Sequence, residues 1–223
     1  MDVNIQVIAR MHSDFATKFG IPRQSGLVEE LKSTIVFEPE FRNPDALRGI
    51  EDFSHLWIIW QFSEAVRQGW SPTVRPPRLG GNTRMGVFAT RSPFCPNNLG
   101  LSSVKLLEVE HTAQFGTVLH VGGADLMDGT PIFDIKPYLP FTDCHPEATG
   151  GFASEQLQTE EPLQVEIPQQ AATLYTPSQL EALTAVLQSD PRPQYQSDPH
   201  RVYVLPFAHT EVRFTVQGKL LQV

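Results

Sequence analysis

The sequence predicts a mainly β fold, a barrel or a sandwich, and three observations carry that expectation. Short alternations of apolar and polar residues recur through the first two thirds of the chain; Gly and Pro, 15 and 19 in number, punctuate them; and few helical patterns occur before residue 170. A chain of 223 residues accommodates one larger domain, or one domain with a small appendage, and either can bury a substantial core.

The elements follow in order. "VNIQVIA" (3–9) and "STIVFEP" (33–39) alternate with the period of two expected of half-buried strands. "NPDALR" (43–48) reads as one capped helical turn, with Asn43 as the N-cap and Pro44 at the first helical position. "SHLWIIWQF" (54–62) is more continuously apolar, as a strand buried on both faces would be, although periodicity alone leaves a short buried helix open. "VKLLEVE" (104–110) and "GTVLHVG" (116–122) alternate again, and Asp128-Gly129 between "ADLM" and "TPIFDI" signals a two-residue hairpin.

Residues 153–170 are polar, Gln- and Glu-rich and weakly patterned, as a linker or irregular crossover would be. "TPSQLEALTAVLQS" is a helix: Thr176 caps it, Pro177 opens it, Gln179 completes a capping box, and Leu180, Leu183 and Leu187 form its apolar stripe. "RVYVL" and "EVRFTV" follow as strands. The division expected is a β-rich main domain over 1–152 and a small α+β C-terminal unit over 165–223.

Several function classes lose ground. No window approaches the roughly 18 to 20 continuous apolar residues of a membrane span, and the N-terminus lacks a basic start followed by an apolar run, so a cytoplasmic protein is expected. Cys95 and Cys144 stand far apart, as ordinary reduced thiols, and the seven histidines show no metal-ligand spacing; no metal is expected. There is no G-x-G-x-x-G after a strand, no Walker loop and no G-x-S-x-G elbow.

Charge is unevenly spread. The chain carries a formal net charge of -8, yet residues 65–107 hold six basic residues (Arg67, Arg75, Arg78, Arg84, Arg91, Lys105) and no Asp or Glu. The other eleven of its 17 lysines and arginines face all 25 acidic residues. Such an asymmetry points to an anion-binding surface in a repelling background; the alternative is a solvated loop whose arginines pair with carboxylates elsewhere.

Three polar islands stand out: "PRQSGL" (22–27), "RLGGNTRMGVFATRSPFCPNNLGLS" (78–102) and "GGADLMDGTPIFDIKPYLP" (122–140). With "DIKPY" extended, Asp134, Lys136 and Tyr138 share one strand face; a surface Asp134/Lys136 pair at the end of an edge strand is the alternative. Asp125 and Asp128 read as turn residues, and His55 as a hydrogen-bonded core histidine.

"GIPRQSGL", "ALRGIEDFSHLWIIWQF", "GWSPTVRPPRLGGNTRMGVFATRSPFCPNNLGLS" and "DLMDGTPIFDIKPYLPF" together resemble, in order, the successive motifs of the TrmO (YaeB-like) family, from about residue 5 to residue 142. "DPRPQY" and the strands after it are similar to the extra unit of the bacterial members. The resemblance implies a single-sheet β-barrel, a homodimer, and an S-adenosylmethionine-dependent methyltransferase. It implies that the acceptor is N6 of N6-threonylcarbamoyladenosine, the base just 3′ of the anticodon, so that the partner is a tRNA anticodon stem-loop.

On that footing the acid-free stretch faces RNA, with Arg75, Arg78, Asn82 and Arg84 as substrate contacts. The cofactor falls to Gln24, Ser25, Gly26 and Leu27, to Ser63 and Glu64, to Arg91 and Leu99, and to Ala124, Asp125, Leu126 and Met127. Arg91 suits the methionine carboxylate, and Asp125 the ribose hydroxyls or the ammonium. Asp134, Lys136 and Tyr138 are the catalytic candidates: a carboxylate or phenol to relieve the ureido N–H of its proton, and an ammonium for the threonyl carboxylate or ureido carbonyl.

The chain departs from the family's pattern where Ser63 stands in place of the usual histidine, Cys95 of an arginine and Asn98 of a proline. Those departures keep two other readings open: a cofactor-binding RNA-associated or sensor module without catalysis, and a small-molecule methyltransferase on the same scaffold.

Overall fold

The structure, a computed structural model, describes residues 3–223 apart from 68, 77–78, 80–81, 155–160 and 194–197. It is mainly β. In chain order come β1 (Ala9–His12), β2 (Lys32–Phe37), β3 (His55–Gln61), the two-residue strands β4 (Thr73–Val74) and β5 (Met85–Gly86), then β6 (Leu99–Thr112), β7 (Gly116–Gly122) and β8 (Pro131–Pro137). Six of these make one antiparallel sheet in the order β1-β2-β7-β6-β3-β8, and β1 also pairs with β8 through Ala9↔Ile132 and Arg10↔Pro131.

Alternation decides which side chains enter its core. Leu56, Ile58 and Trp60 of β3 are buried beside Met11, Ile35 and Ile132 from neighbouring strands. Trp57 and Ile59, on the other face, are only half-buried. The strand is therefore covered on one face, not on both as its apolar run suggests. Trp57 on the outer face packs on Tyr138 at 5.5 Å and donates its Nε1–H to Asp143 of the short helix α1 (Pro140–Asp143) at 2.9 Å.

Three expectations are corrected. Residues 3–7 are not a strand: β2 ends at Phe37, opposite Ala9, and Pro39 opens a 3-10 turn, so no ladder partner continues beyond Ile8. At Asp128-Gly129 only Gly129 has positive φ (75°), and Thr130 N–H bonds to Met127 C=O (3.2 Å). That is a turn leading an irregular segment into β8, not a two-residue hairpin. β6 starts at Leu99, inside a stretch that reads as loop, because Gly100 lets it lie against β3: a Cβ there would meet the Trp60 ring at 2.2 Å.

The second sheet belongs to β9 (Gln164–Glu166), β10 (Tyr203–Phe207), β11 (Thr210–Gln217) and β12 (Leu220–Gln222), in the order β10-β11-β12-β9. Between β9 and β10 lie α2 (Gln169–Ala172) and α3 (Pro177–Gln188). The expected capping box closes α3, Thr176 Oγ1 accepting from Gln179 N–H and Gln179 Oε1 from Thr176 N–H. The presumed linker over 153–170 instead contributes β9 and the start of α2. Leu183, Val186 and Leu187 pack with Leu205, Phe207 and Phe214, and this second core also takes in Phe15, Val28 and Leu31 from the N-terminal region. No helix among the described residues is long and apolar enough to cross a membrane.

Candidate functional site

Residues 90–98 form a self-braced loop. Cys95 N–H bonds to Ser92 C=O and Asn98 N–H to Cys95 C=O, Ser92 Oγ accepts from Phe94 N–H, and Phe62 N–H ties the loop to the end of β3 through Asn98 C=O at 2.9 Å. Two cavities, of about 620 and 1550 Å³, lie against it, and both are lined by Thr90 to Cys95 together with Arg23, Gln24 and Arg67. A single loop thus separates two chambers.

The smaller chamber is lined by the end of β3, the start of β6 and the segment before β8. Trp60 Nε1–H donates to Ser102 Oγ (2.9 Å), and Ser102 O–H donates to Asp125 Oδ1 (2.6 Å). Burial pushes the Asp125 carboxyl up from its ordinary value; the Ser102 hydroxyl, the backbone N–H groups of Asp125 and Ser25, and the Arg91 guanidinium pull the other way without overcoming it. Arg91 in turn donates to Gln24 Oε1. The 22–27 turn meets the 123–127 segment backbone to backbone: Gly26 N–H bonds to Gly123 C=O (2.8 Å), and a Cβ on Gly123, whose φ is 70°, would press on Gly26 at 3.2 Å.

Of the residues expected at a cofactor, Gln24, Ser63, Glu64, Arg91 and Leu99 line this chamber, with Asp125 and Met127. Ser25 reaches it through its bond to Asp125, and Gly26 shapes the turn. Leu27 lines the larger chamber instead. Ala124 and Leu126 are 2% and 1% exposed and belong to the core of the six-stranded sheet.

The larger chamber is cationic. Arg75 and Arg84, the candidates for RNA contact, line it, and so do Arg67, Arg91 and Arg192, with no acidic residue among the described lining. Arg67 lies over the Phe94 ring at 4.0 Å, and Arg192 is forked onto Asp190 (2.7 and 2.8 Å). Asn82 is exposed and does not line the chamber, and Arg78 lies outside the described residues. Arg192 and Phe152, unassigned beforehand, reach it from distant sequence; their only signals were the "DPRPQY" motif and a lone aromatic in a Gly-rich stretch.

Asp134, Lys136 and Tyr138 do share a face, the outer one: they alternate with Ile135, which pairs opposite buried Ile58, while Asp134 pairs with Ile59 and Lys136 with Trp57. Lys136 Nζ and Asp134 Oδ2 are 2.8 Å apart, with the two side chains 62% and 42% exposed. They line neither chamber. Desolvation first, and then the neighbouring Cys144 and Asp143, raise the Tyr138 phenol above its ordinary value. His55 is half-buried and shares a hydrogen bond with Ser54 Oγ, at the opposite end of β3 from the chambers. Among the described residues no group of three or more His, Cys, Asp or Glu could hold a metal.

Residues 10–144 match the family described as tRNA-methyltransferase O N-terminal domain, and residues 160–223 match the TrmO C-terminal domain. The chain belongs to the tRNA-methyltransferase O family. It is 44% identical over 193 residues to the tRNA (adenine(37)-N6)-methyltransferase of Escherichia coli K12, covering 85% of this chain and 82% of that one. A Pseudomonas aeruginosa PAO1 relative, RcsF, whose name places it with the S-adenosylmethionine-dependent methyltransferases, is 37% identical over 209 residues (91% and 88%). A crystal structure of TrmO from Pseudomonas aeruginosa superposes with a TM-score of 0.77 at 29% identity, over 100% of this chain and 97% of that one.

Set in the TrmO family, the departures at the dividing loop have physical content. Asn98 has φ of 50°, which proline cannot adopt, and its Nδ2 caps Pro93 C=O. The loop of this member is therefore held by an asparagine in the left-handed region. Cys95 is half-buried with its thiol 3.8 Å from Val87 C=O, so the position no longer presents a cation to either chamber. Ser63 still lines the smaller chamber.

Proposed function

We propose that this chain is an S-adenosylmethionine-dependent methyltransferase of tRNA, acting beside the anticodon on N6 of N6-threonylcarbamoyladenosine at position 37. The observation that carries the reading is the pair of chambers sharing one wall: a small one lined by a buried carboxylate and a guanidinium, and a large cationic one. The names of the relatives in E. coli and P. aeruginosa agree with that chemistry.

The smaller chamber suits the cofactor. Its volume lies within the usual range for ligand sites, roughly 300–1,000 Å³. Asp125 can accept from ribose hydroxyls or an ammonium, and Arg91, steadied by Gln24, can pair with a carboxylate. S-adenosylmethionine, when bound, supplies an electrophilic methyl on its sulfonium. The chain's own task is then to aim a nucleophile at that methyl in line and to exclude water, which a rigid shared wall serves.

The acceptor N–H must also give up or share a proton, and Asp134, Lys136 and Tyr138 are the groups assigned to it. The raised Tyr138 phenol stays protonated at neutral pH and so donates, leaving Asp134 as the acceptor of the proton and Lys136 as the cation for the substrate's carboxylate. Because these groups line neither chamber of their own chain, the assignment goes with a homodimer in which one protomer's outer face meets its partner's chamber. The open Leu99 and Leu101 on β6, 39% and 49% exposed, offer apolar area for such a contact. The same reading takes the six-stranded sheet as a closed barrel, which the β1/β8 pairing supports. It also sets a main domain over 1–152 beside a C-terminal unit over 165–223, and places the protein in the cytoplasm with its tRNA.

The test is methyl transfer from tritiated S-adenosylmethionine to tRNA carrying threonylcarbamoyladenosine and to the same transcript without it. Label on the modified tRNA alone is the expected result; label on neither, with cofactor still bound by calorimetry, overturns it. Arg75→Ala and Arg84→Ala should each weaken tRNA binding and lower the salt slope of log K by about one, with cofactor affinity unchanged. Mixing Asp134→Asn with Arg91→Ala protomers should restore part of the activity that each lacks alone; no restoration would remove the shared-site assignment.

A further inference from the structure

Trp70 and Phe88 are 57% and 76% exposed, although large aromatic side chains carry much of a protein's buried area. The fold brings them together deliberately. Thr73↔Gly86 and Val74↔Met85 pair β4 with β5, and Val87 N–H bonds to Pro72 C=O at 3.0 Å, so the residues flanking this small ladder converge. The two rings end 6.1 Å apart, tilted by 36°, and both line the larger chamber. The same chamber is lined by Arg67, Arg75, Arg84 and Arg91.

That surrounding chemistry selects the occupant. A protein partner or a second copy seated on an open aromatic pair would find an apolar rim, whereas here the rim is cationic and free of described acidic residues. A flat ring on an anionic backbone satisfies both halves: aromatic side chains stack unpaired bases, and arginines neutralise the phosphates on either side. We propose that Trp70 and Phe88 form a stacking platform for an unpaired anticodon-loop base of the tRNA. This inference rests on the tRNA reading above and adds to it the residues that grip the loop by its bases.

The experiment uses the full chain and compares wild type with Trp70→Leu, Phe88→Leu, Trp70→Tyr and Phe88→Tyr, each checked for an unchanged melting curve. Binding of an anticodon stem-loop RNA is measured over a range of salt, and cofactor binding by calorimetry. Each leucine variant should lose about five- to hundredfold in RNA affinity, the scale of one lost stacking contact. The tyrosine variants should stay within a few fold of wild type, because the ring, not its size, is what the base needs. The salt slope should not change, since no phosphate contact is removed, and neither should cofactor affinity. RNA should quench wild-type tryptophan fluorescence, and Trp70→Tyr should lose most of that quenching while still binding.

Leucine variants that bind RNA as wild type does would overturn the platform while leaving the tRNA reading intact. So would a change in sedimentation in place of RNA affinity, which would assign the pair to a contact between copies. A wild-type chain that binds no tRNA would overturn both.

Discussion

At Asp125 one side chain carries two opposed demands. Its carboxyl is pushed up by burial despite Ser102, the backbone N–H groups and Arg91, so the folded chain without ligand favours the protonated form more than the unfolded chain does. The linkage follows in sign: stability from this group is present at low pH and is lost as pH rises through the ordinary value of 3.8 to the raised one. Asp125→Asn should therefore raise the melting temperature of the ligand-free protein at neutral pH. On the proposed assignment of Asp125 to the cofactor, the same change should weaken cofactor binding by about tenfold, because it would replace a charge-assisted hydrogen bond with a neutral one. In wild type, affinity should begin to fall at a pH above the ordinary aspartate range, and Asp125→Asn should flatten that fall. Calorimetric titrations across pH read both. From sequence Asp125 and Asp128 look alike as turn residues; only burial separates them, and burial depends on how the 22–27 turn and β6 close over the position. Trp70 and Phe88 are hidden for the converse reason, since aromatics in a Gly- and Pro-rich stretch look the same whether they face a core or solvent. Asn98 offers a sharper test: Asn98→Pro, although it restores the family's usual residue, forces φ from 50° toward about −65° and should open the dividing loop, lowering cofactor affinity at least tenfold. Asn98→Gly, which tolerates positive φ but loses the Nδ2 bond to Pro93 C=O, should bind less tightly than wild type and more tightly than Asn98→Pro.

Elements set by a short repeating pattern were legible, and those set by distant partners were not. The strands at Ile35 and 116–122 and the capped helix α3 follow from alternation, from the Thr176/Gln179 box and from the Leu183/Leu187 stripe. β9 and β12 escaped because each is three residues long and is recruited by its neighbours, β9 lying parallel to β12 through Leu220↔Gln164 and Val165↔Leu221. The early start of β6 escaped because Gly100 signals a turn until Trp60 is seen to need its missing side chain. The turn joining β10 and β11 goes against its local preference altogether. Ala208 and His209 hold φ of 47° and 66°, a backbone suited to Asn-Gly, and a bond from Ala208 N–H to Asp14 C=O (2.9 Å) helps to keep them there. Replacing the pair by Asn-Gly should relieve about 1 kcal/mol of strain and raise the melting temperature by about 2–4 °C, with enzymatic activity unchanged. Thermal denaturation of the double variant reads the effect; a lower midpoint would mean that the Ala208 and His209 side chains contribute more than the backbone strain costs.

Across the whole molecule, the two sheets are joined by the chain between β1 and β2. Phe15 is 1% exposed inside the second core, with its ring edge-on to Phe207 at 5.4 Å and 74°. Its C=O accepts from Asp128 N–H (2.8 Å), while Asp14 Oδ1 accepts from Gln179 Nε2 of α3 (3.1 Å). Asp14 and Phe15 thus tie the turn before β8, α3 and the β10/β11 hairpin to one point. The tie bears on function, because Arg192 and Pro193, which follow α3 in the chain, line the larger chamber. Two cores tied through the backbone of Phe15 and the side chain of Asp14 should melt together, so calorimetry of the wild-type chain should show one transition. Phe15→Ala removes the ring from both the packing and the docking; a buried Phe→Ala change costs about 3–5 kcal/mol, and the transition should drop by roughly 10 °C and begin to separate into two. RNA affinity should fall as docking loosens, whereas cofactor affinity, which the proposed site assigns to Asp125 and Arg91, should fall less. Two transitions already present in the wild-type chain would show instead that the sheets are independent and that Arg192 reaches the chamber without help from Phe15.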